Sequence, residues 1–572
     1  MATTAADRPR LWPLVLRELW RRARLRMRVG PLFRWRFSGR SPERVLVAPP
    51  DLRLADGHIA ADIYAGRFAL AGHVVEAGGE SPFRLDVSNR AWTEALHGFR
   101  WLRHMREAGT DLANANARAL VTDWIAIHGG RICEPAWNPS TTAIRVIAWL
   151  QHSTVVLQGC ELPFYRTYLR SLSAQIRYLR AMVPDMPAGE DRLRARIAIA
   201  LASLSLPQSP ASVRQAARRL DAELKDQILP DGGHVSRSPL ALLELLADLL
   251  PLRQTYASQG ETPPPELIPA VERMLPMLRF FRHQDGNLAR FNGAGATSPD
   301  RIMAILQHDE SQGAPLTNAT HSGFNRLQLG NTTVIADTGA APPADVAGRA
   351  HAGCLSFEMS SGRHHFIVNC GVDNYGPPEY LALSRATAAH STATLNDTSS
   401  ARFATSGWTS GIIGAPLVQG PRKTPCERSD GEGHRAFTAS HDGYAARFGI
   451  IHERNLVLRE NGHILDGTDR FHRPNGEPPR PKNDAVALRF HIHPDIGVWQ
   501  DEHGQVILSA PAGDNWIFTT GGARPSVEES IFFAGIAGPE RTRQIVLSFN
   551  ASELPEVRWR FTRISALGND GA

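Results

Sequence analysis

Lysine is nearly missing from this chain of 572 residues: it occurs only at Lys225, Lys423 and Lys482, so 60 of the 63 basic residues are arginine. One explanation is a bias in the nucleotide composition of the source genome, which carries no functional meaning. The other is a use of guanidinium groups, whose planar fork binds carboxylate and sulfate in pairs of hydrogen bonds. Under the second explanation the formal net charge of +6 favours an acidic partner.

Cysteine is also scarce, and the positions exclude a disulfide scaffold. The five cysteines show no C-x-x-C pair and no dense spacing, which indicates a reducing compartment. They are Cys133, Cys160, Cys354, Cys370 and Cys426.

Long apolar runs are absent too. No stretch approaches the roughly 20 consecutive apolar residues that a membrane span needs, and no small-residue cleavage site follows an apolar segment, so we expect no secretory signal peptide. Residues 11–37 mix Leu, Trp and Val with many arginines. They predict either a basic amphipathic helix at an anionic membrane surface or a first helix packed on the body of the protein. We therefore expect a cytoplasmic protein, with peripheral contact at the inner membrane through residues 11–37 as one interpretation.

The periodicity of apolar residues divides the chain into three parts. Residues 1–90 combine the basic helix with a mixed connecting segment. Residues 91–315 repeat apolar positions at three and four, as in "AWTEALHGFRWLRHMREAG" from residue 91, and predict a series of helices that pack on one another. Residues 316–572 alternate with period two between Gly, Asn and Asp turns, which predicts an antiparallel β-sandwich.

Two segments of the second half resemble a known family. "HAGCLSFEMSSGRHHFIVNCG" (351–371) reads as a β-hairpin, and "RATAAHSTATLNDTSS" (385–400) follows it. Together with the order of helices first and strands afterwards, they resemble the C-terminal module of the heparinase II/III family of polysaccharide lyases. "ILPDGGHVSRSP" (228–239) is similar to a segment of that family's helical domain. The resemblance implies an incomplete (α/α) toroid, a sandwich, and an acidic polysaccharide bound between them.

The implied reaction is β-elimination on a uronate. A neutral donor must stabilise the carboxyl group as charge develops on it, a base must take the C5 proton, and an acid must protonate the leaving oxygen. The resemblance also implies a structural zinc in some members, whose ligands here match His351, Asn369 and His390. An amide replaces the usual carboxylate at Asn369 and is a poorer zinc ligand, so we expect no required cofactor.

The usual catalytic positions of the family depart from its pattern in this chain. Where the resemblance implies a histidine two residues before His351, the sequence has Arg349, which stays protonated at ordinary pH but neutralises a uronate or sulfate. The implied Asn-His pair falls on Asp191 and Arg192. The implied Tyr-His pair falls on apolar residues at 241 and 242, Ala241 and Leu242.

Other residues are candidates for the lost roles. We predict His351, His234, Tyr375 and Tyr380 as catalytic groups, and Arg349, Arg237 and Arg192 as groups that bind the acidic substrate. For His234 the alternative is an ordinary surface residue, for Arg237 a solvated side chain, and for each tyrosine packing against the rim of the sandwich.

The remaining histidines of the hairpin are predicted to be unremarkable. His364 and His365 follow its turn, at the end opposite His351, and we expect both to be exposed. The "HIH" run at 491–493 places two histidines on one face of a strand, but the sequence gives no third ligand.

Two functions from different classes remain. The first is a lyase that cleaves an acidic, uronate-containing polysaccharide, for which the resemblance also offers the periplasm as a location. The second is a catalytically altered or inactive member that binds acidic glycans. No nucleic-acid recognition motif accompanies the basic residues, so we expect no nucleic-acid partner.

Overall fold

The computed structural model describes residues 8–29, 37–309, 313–404, 412–511 and 513–564. Helices dominate the first half of the described chain. Their bounds are α1 Arg8–Val29, α2 Gly57–Tyr64, α3 Arg90–Gly98, α4 Leu102–Ala108, α5 Asp111–His128, α6 Pro139–Gln151, α7 Ser153–Leu157, α8 Leu162–Met182, α9 Glu190–Ser205, α10 Pro210–Gln227, α11 Pro239–Gln259, α12 Leu267–Phe280, α13 Pro299–Leu306, α14 Pro378–Ser384 and α15 Ala445–Phe448. Among these described helices, none is both long and apolar enough to cross a membrane.

Local signals explain where several of these helices begin. The side chains of Asn89, Thr110 and Ser238 each accept a hydrogen bond from a backbone N–H in the first turn of α3, α5 and α11. Such caps satisfy N–H groups that have no partner inside the helix. Proline at the first position of α6, α10 and α11 fixes the backbone in a helical conformation without losing a hydrogen bond.

Strands make up most of the second half. The bounds are β1 Arg67–Leu70, β2 His73–Glu76, β3 Asn318–Ala319, β4 Phe324–Leu329, β5 Thr332–Asp337, β6 Phe357–Ser361, β7 His364–Val368, β8 Ala393–Leu395, β9 Arg402–Phe403, β10 Leu417–Gln419, β11 Cys426–Gly431, β12 His434–His441, β13 Ile451–Arg459, β14 Ile464–His472, β15 Ala485–Ile492, β16 Gly497–Gln500, β17 Val506–Ser509, β18 Asn515–Gly521, β19 Pro525–Phe532, β20 Glu540–Asn550 and β21 Glu556–Ile564.

Two large antiparallel sheets form the sandwich. One runs β19-β20-β15-β7-β6-β5-β4-β3, with β8 added on β15, and the other runs β11-β12-β13-β14-β21-β18-β17-β16. Aromatic rings join them: Phe357 of the first sheet stacks on Trp559 of the second at 5.6 Å between centroids, and Phe490 contacts the same indole at 4.8 Å. The predicted order of a helical domain followed by an antiparallel sandwich is confirmed.

One predicted helix is broken. The period of residues 91–109 suggested a continuous helix, but α3 ends at Phe99, which has a left-handed backbone with φ of 57°. The Phe99 ring is fully buried and contacts the rings of Trp101, Trp124 and Trp149. Burial of an aromatic cluster therefore outweighs the local strain and starts a new helix, α4.

Two arginines join the domains in opposite directions. Arg237, from the loop before α11, donates to the carbonyl oxygens of Ser322 and Gly323 in the sandwich. Arg326 of β4 donates to the carbonyl oxygens of Phe280 and Arg282 in the helical domain. Both guanidinium groups are buried, so these hydrogen bonds are shielded from solvent.

Candidate functional site

His351 and His390 meet as the hairpin motif suggested. His351 Nδ1 lies 3.2 Å from His390 Nε2, and both side chains are buried. His390 Nδ1 lies 2.8 Å from the carbonyl oxygen of Ala386, which can only accept, so His390 Nε2 accepts the proton of His351 Nδ1. The remaining nitrogen, His351 Nε2, is an unprotonated atom that is buried without a hydrogen-bond partner.

The surroundings keep His351 neutral. Burial, and then the charges of His390 and Arg385, hold its pKa well below the ordinary histidine value. Its backbone N–H donates to Asn292 Oδ1 at 3.1 Å, while Asn292 Nδ2 donates to the carbonyl oxygen of Arg237. His351 is therefore a neutral imidazole fixed at the junction of the two domains.

The donor set beside His351 does not fit the family's zinc site. Asn369 Oδ1 accepts a hydrogen bond from the Ser391 N–H at 3.1 Å, and Asn369 Nδ2 is buried without a partner. Two imidazoles and one amide that is already hydrogen-bonded offer no anionic ligand, whereas a closed zinc site takes four good donors.

Arg349 forms an ion pair across the junction. Its Nε lies 2.7 Å from Glu190 Oε1, at the first position of α9. Burial alone would raise the pKa of Glu190, but Arg349 and then Arg194 lower it below the ordinary value. Arg349, which stands where the resemblance implies a catalytic histidine, is thus engaged in an ion pair. Its partner, Glu190, directly precedes Asp191.

His234 is buried in the loop between α10 and α11, close to this pair. Its Nε2 lies 2.8 Å from Gln227 Oε1, an acceptor, so Nε2 carries the proton and Nδ1 accepts from Ser236. Burial lowers its pKa to about 4. Because both nitrogens are engaged, His234 cannot take a proton from a substrate without rearrangement.

Four further predicted positions are part of the scaffold. Arg192 pairs with Glu223 of α10 at 2.6 Å. Ala241 and Leu242 are buried in α11. Arg237 needs a correction, because the expectation that it binds an acidic sugar does not match its placement. Its guanidinium is buried and donates to carbonyl oxygens and to Asp337, so it serves the domain junction.

The two tyrosines stay near the surface. Tyr375 is 57% exposed and packs against Gly72 in the β1–β2 turn. Tyr380 is 36% exposed, and its ring lies 5.5 Å from that of Phe533. The contact with Gly72 places this segment of the C-terminal half next to the β1–β2 turn of the N-terminal half.

Sequence reasoning missed a cluster of arginines around two carboxylates, of which Asp248 is fully buried and Glu244 is partly buried. Asp248 pairs with Arg53 at 2.7 Å and with Arg194 at 3.1 Å. Glu244, one turn earlier in α11, pairs with Arg100 at 3.2 Å and with Arg301. Both carboxylate side chains are less exposed to solvent than the side chains of Arg100 and Arg301, which are 28% and 35% exposed.

Two arginines of this cluster, Arg100 and Arg301, are only partly compensated, whereas the neighbouring carboxylates outweigh burial and raise the pKa values of Arg53 and Arg194. The pKa of Arg100 is lowered to about 9, first by burial and then by the charge of Arg53. The pKa of Arg301 is lowered to about 10, first by burial and then by Arg53 and Arg100. A bound anion would relieve this repulsion, so the cluster is suited to a carboxylate or sulfate group.

The prediction that His365 is exposed is wrong. Its side chain is buried and contacts Asp285 at 2.9 Å, because residues 281–290 of the helical domain cover the hairpin. His364, its neighbour, is half-buried. No local pattern signals this cover, since the covering segment is about 80 residues away in the chain.

Comparisons with known proteins agree with this architecture. A family model described as heparinase II/III-like, C-terminal, matches residues 311–560. FtsZ-localized protein C of Caulobacter vibrioides (strain NA1000 / CB15N) is 30% identical over 536 residues, which cover 91% of each chain.

Solved structures share the fold at low identity. Heparinase III superimposes with a TM-score of 0.71 at 14% identity, over 93% of this chain and 88% of that one. A heparan sulfate lyase HepC mutant from Pedobacter heparinus gives a TM-score of 0.62 at 16% identity, over 93% and 87% of the two chains.

Proposed function

Because the chain belongs to the heparinase II/III-like family, we propose that it binds an acidic polysaccharide at the junction of its two domains and has altered or lost the family's elimination chemistry. The observation that carries this proposal is the Arg349–Glu190 ion pair, because Arg349 stands where the family resemblance implies a catalytic histidine and Glu190 directly precedes Asp191. Arginine stays protonated and cannot act as a base, and the carboxylate is already neutralised by its partner.

The arginine cluster supplies the binding groups. Arg100 and Arg301 keep part of their side chains in water, while Asp248 is fully buried and the side chain of Glu244 is 13% exposed. A uronate or sulfate presented from outside would meet guanidinium groups first. Tyr375, which packs against Gly72, adds an exposed ring that suits contact with a sugar face.

The alternative to binding alone is that the chain retains lyase activity, which would depend on His351. Of the predicted catalytic histidines, His351 has a ring nitrogen without a partner, whereas both nitrogens of His234 are engaged. Elimination would need His351 Nε2 to reach the C5 proton of a bound uronate.

We expect the double variant Arg100→Gln, Arg301→Gln to bind acidic polysaccharides about tenfold more weakly for each arginine lost, since a charge-assisted hydrogen bond contributes about 1.5–3 kcal/mol. Binding of heparin, heparan sulfate, chondroitin sulfate and alginate is measured by calorimetry, with dextran as a neutral polymer. Arg558→Gln, on the exposed face of β21, is the matched control and should bind like the wild type.

The same samples are followed by ultraviolet absorbance, which detects the unsaturated uronate product. Constant absorbance together with binding supports the proposal. Absorbance that rises in the wild type and not in His351→Ala would instead establish the lyase, and the absence of binding to every acidic polymer would overturn both functions.

A second candidate function follows from the relative that is named for its localisation with FtsZ. We propose that this chain also acts beside FtsZ, in the cytoplasm, with α1 in peripheral contact with the membrane. Helix α1 buries Leu11 and Val15 against the body but exposes a row of apolar side chains flanked by arginines. An exposed apolar row on a basic helix suits an anionic lipid surface. The exposed residues are Trp12, Leu16, Leu19, Trp20 and Met27.

We expect a fluorescent fusion of the full chain to follow labelled FtsZ in cells, and the variant Leu16→Glu, Trp20→Glu to become diffuse, because two charges would remove α1 from lipid. Leu162→Glu, which changes an equally exposed leucine on α8, is the control and should keep the wild-type pattern. A variant that still follows FtsZ would exclude the membrane contact. A diffuse wild type would exclude the second candidate altogether.

A further inference from the structure

Three potential metal ligands from both domains meet under the hairpin. His283 comes from residues 281–290 after α12, Glu358 from β6 and His365 from β7. All three are buried, and one ligand atom of each lies within 4.8 Å of the others. Within the part of the chain that the structure describes, this is the group of histidine, cysteine and carboxylate side chains with that geometry.

Two of the ligand atoms face each other without a hydrogen bond. His283 Nε2 and Glu358 Oε2 are 3.4 Å apart, both side chains are fully buried, and each atom is without a hydrogen-bond partner. Two ligands bound to a tetrahedral zinc ion at about 2.0–2.2 Å are themselves separated by about 3.4 Å. The pair therefore already stands at the spacing that a shared ion requires.

In each of the three side chains, the polar atom that would not bind the ion has a hydrogen-bond partner, as is usual in metal sites. Asp285 Oδ2 accepts from His365 Nε2 at 2.9 Å, so His365 Nδ1 keeps its lone pair. Ser360 Oγ contacts His283 Nδ1 at 2.8 Å, and the Asn369 N–H donates to Glu358 Oε1 at 3.0 Å. A second partner on each ligand fixes its orientation, and a carboxylate behind a ligating histidine raises its basicity.

Arg290 supplies the positive charge in this arrangement. Its Nη1 lies 3.5 Å from His365 Nδ1 and 3.9 Å from Glu358 Oε2, and its guanidinium lies over the ring of Phe532 at 4.9 Å. A divalent ion would replace this charge, and the guanidinium would retreat along the aromatic ring.

A cavity reaches one of the three side chains, His365, together with its partner Asp285. It has a volume of about 380 Å³ and is lined by Asp285, Arg290, His365 and His493 among others. It offers room for the displaced guanidinium and for a solvent molecule as the fourth ligand.

We propose that His283, Glu358 and His365 bind a divalent ion of the zinc class, with solvent as the fourth ligand, and that this ion ties residues 281–290 to the hairpin. The site is separate from the His351–His390 pair, where the family resemblance implies a metal. It is independent of the glycan-binding proposal, since none of its ligands belongs to the arginine cluster.

The test uses the full chain, stripped with a chelator, incubated with zinc sulfate and freed of excess metal by gel filtration. Bound zinc is measured by mass spectrometry and the thermal midpoint by circular dichroism. We expect about one zinc ion per chain and a higher midpoint with zinc. His365→Ala and Glu358→Gln should lose both effects, and Asp285→Asn should weaken affinity about 10- to 100-fold.

Two controls separate the site from its alternatives. His364→Ala, the half-buried neighbour, and His351→Ala, in the other histidine pair, should bind zinc like the wild type. Arg290→Gln should bind zinc more tightly because the competing charge is gone, a result that a packing role would not give. A wild type without zinc, or zinc kept by His365→Ala and lost by His351→Ala, would overturn the proposal.

Discussion

Replacing Arg454 with alanine is expected to lower the free energy of unfolding of the C-terminal sandwich by about 3–5 kcal/mol, the cost of leaving one member of a buried ion pair alone. Arg454 of β13 is fully buried opposite Asp469 of β14, and its Nε donates to Asp469 Oδ1 at 2.8 Å. Its Nη1 donates to the carbonyl oxygens of Leu355 and Ser391 at 2.7 and 2.9 Å.

The effect should reach the candidate site. Leu355 and Ser391 lie in the segments that carry His351 and His390, so Arg454 joins those two segments through its hydrogen bonds to their carbonyl oxygens. We expect urea unfolding to begin at a lower concentration in the variant. Arg558→Ala, at an exposed position of β21, should change stability by no more than about 0.5 kcal/mol. An equally small loss for Arg454→Ala would contradict the role assigned to the buried pair.

The difference between wild type and Arg454→Ala should depend on pH. Burial alone would raise the pKa of Asp469, but Arg454 and then His452 hold it well below the ordinary value of 3.8. A carboxyl group whose pKa is depressed by folding stabilises the fold above its unfolded pKa, and this contribution is lost as the pH falls. The gap between the two proteins should therefore narrow as the pH falls through about 4.

Replacing Asp248 with asparagine is expected to destabilise the helical domain by about 3–5 kcal/mol, because buried guanidinium groups lose their shared counter-charge. Asp248 is fully buried and accepts hydrogen bonds from Arg53 and Arg194 at 2.7 and 3.1 Å, with Arg100 at 3.7 Å. Asparagine keeps the shape of the side chain but removes the charge, so the loss of stability measures repulsion among the arginines.

An added anion should repair part of this loss. Sodium sulfate or heparin would place negative charge on the exposed side of the cluster, and we expect it to raise the thermal midpoint of Asp248→Asn more than that of the wild type. Sodium chloride at the same ionic strength controls for screening. Asp191→Asn, at the exposed edge of the cluster, should cost no more than about 1 kcal/mol. Equal responses of both proteins to sulfate would argue against an anion site.

The sequence predicts most of the fold because the two periodicities are local. The break at Phe99 could not be predicted from the sequence, since the buried ring packs not only on its neighbour Trp101 but also on indole rings of α5 and α6 that are distant in the chain. The contact of His351 with His390 could be predicted because a family motif joins the two segments. The burial of His365 could not, because it depends on residues 281–290 of the other domain.

The arginine cluster lay beyond sequence reasoning for the same reason. Its members come from residues 53 to 301, and each resembles any other arginine in a chain that has 60 of them. Only the fold brings them around Asp248. Because arginine is so abundant in this chain, the sequence alone does not distinguish the arginines of the cluster from the others.

The opposed arginines of the domain junction have a consequence for inheritance. Arg237 supplies donors to carbonyl groups of the sandwich, and Arg326 supplies donors to carbonyl groups of the helical domain, so each half completes the hydrogen bonds of the other. Recombination that replaced one half by a half without the matching arginine would leave buried carbonyl oxygens without donors. An exchanged half must therefore supply the same guanidinium donors if these carbonyl oxygens are to stay hydrogen-bonded.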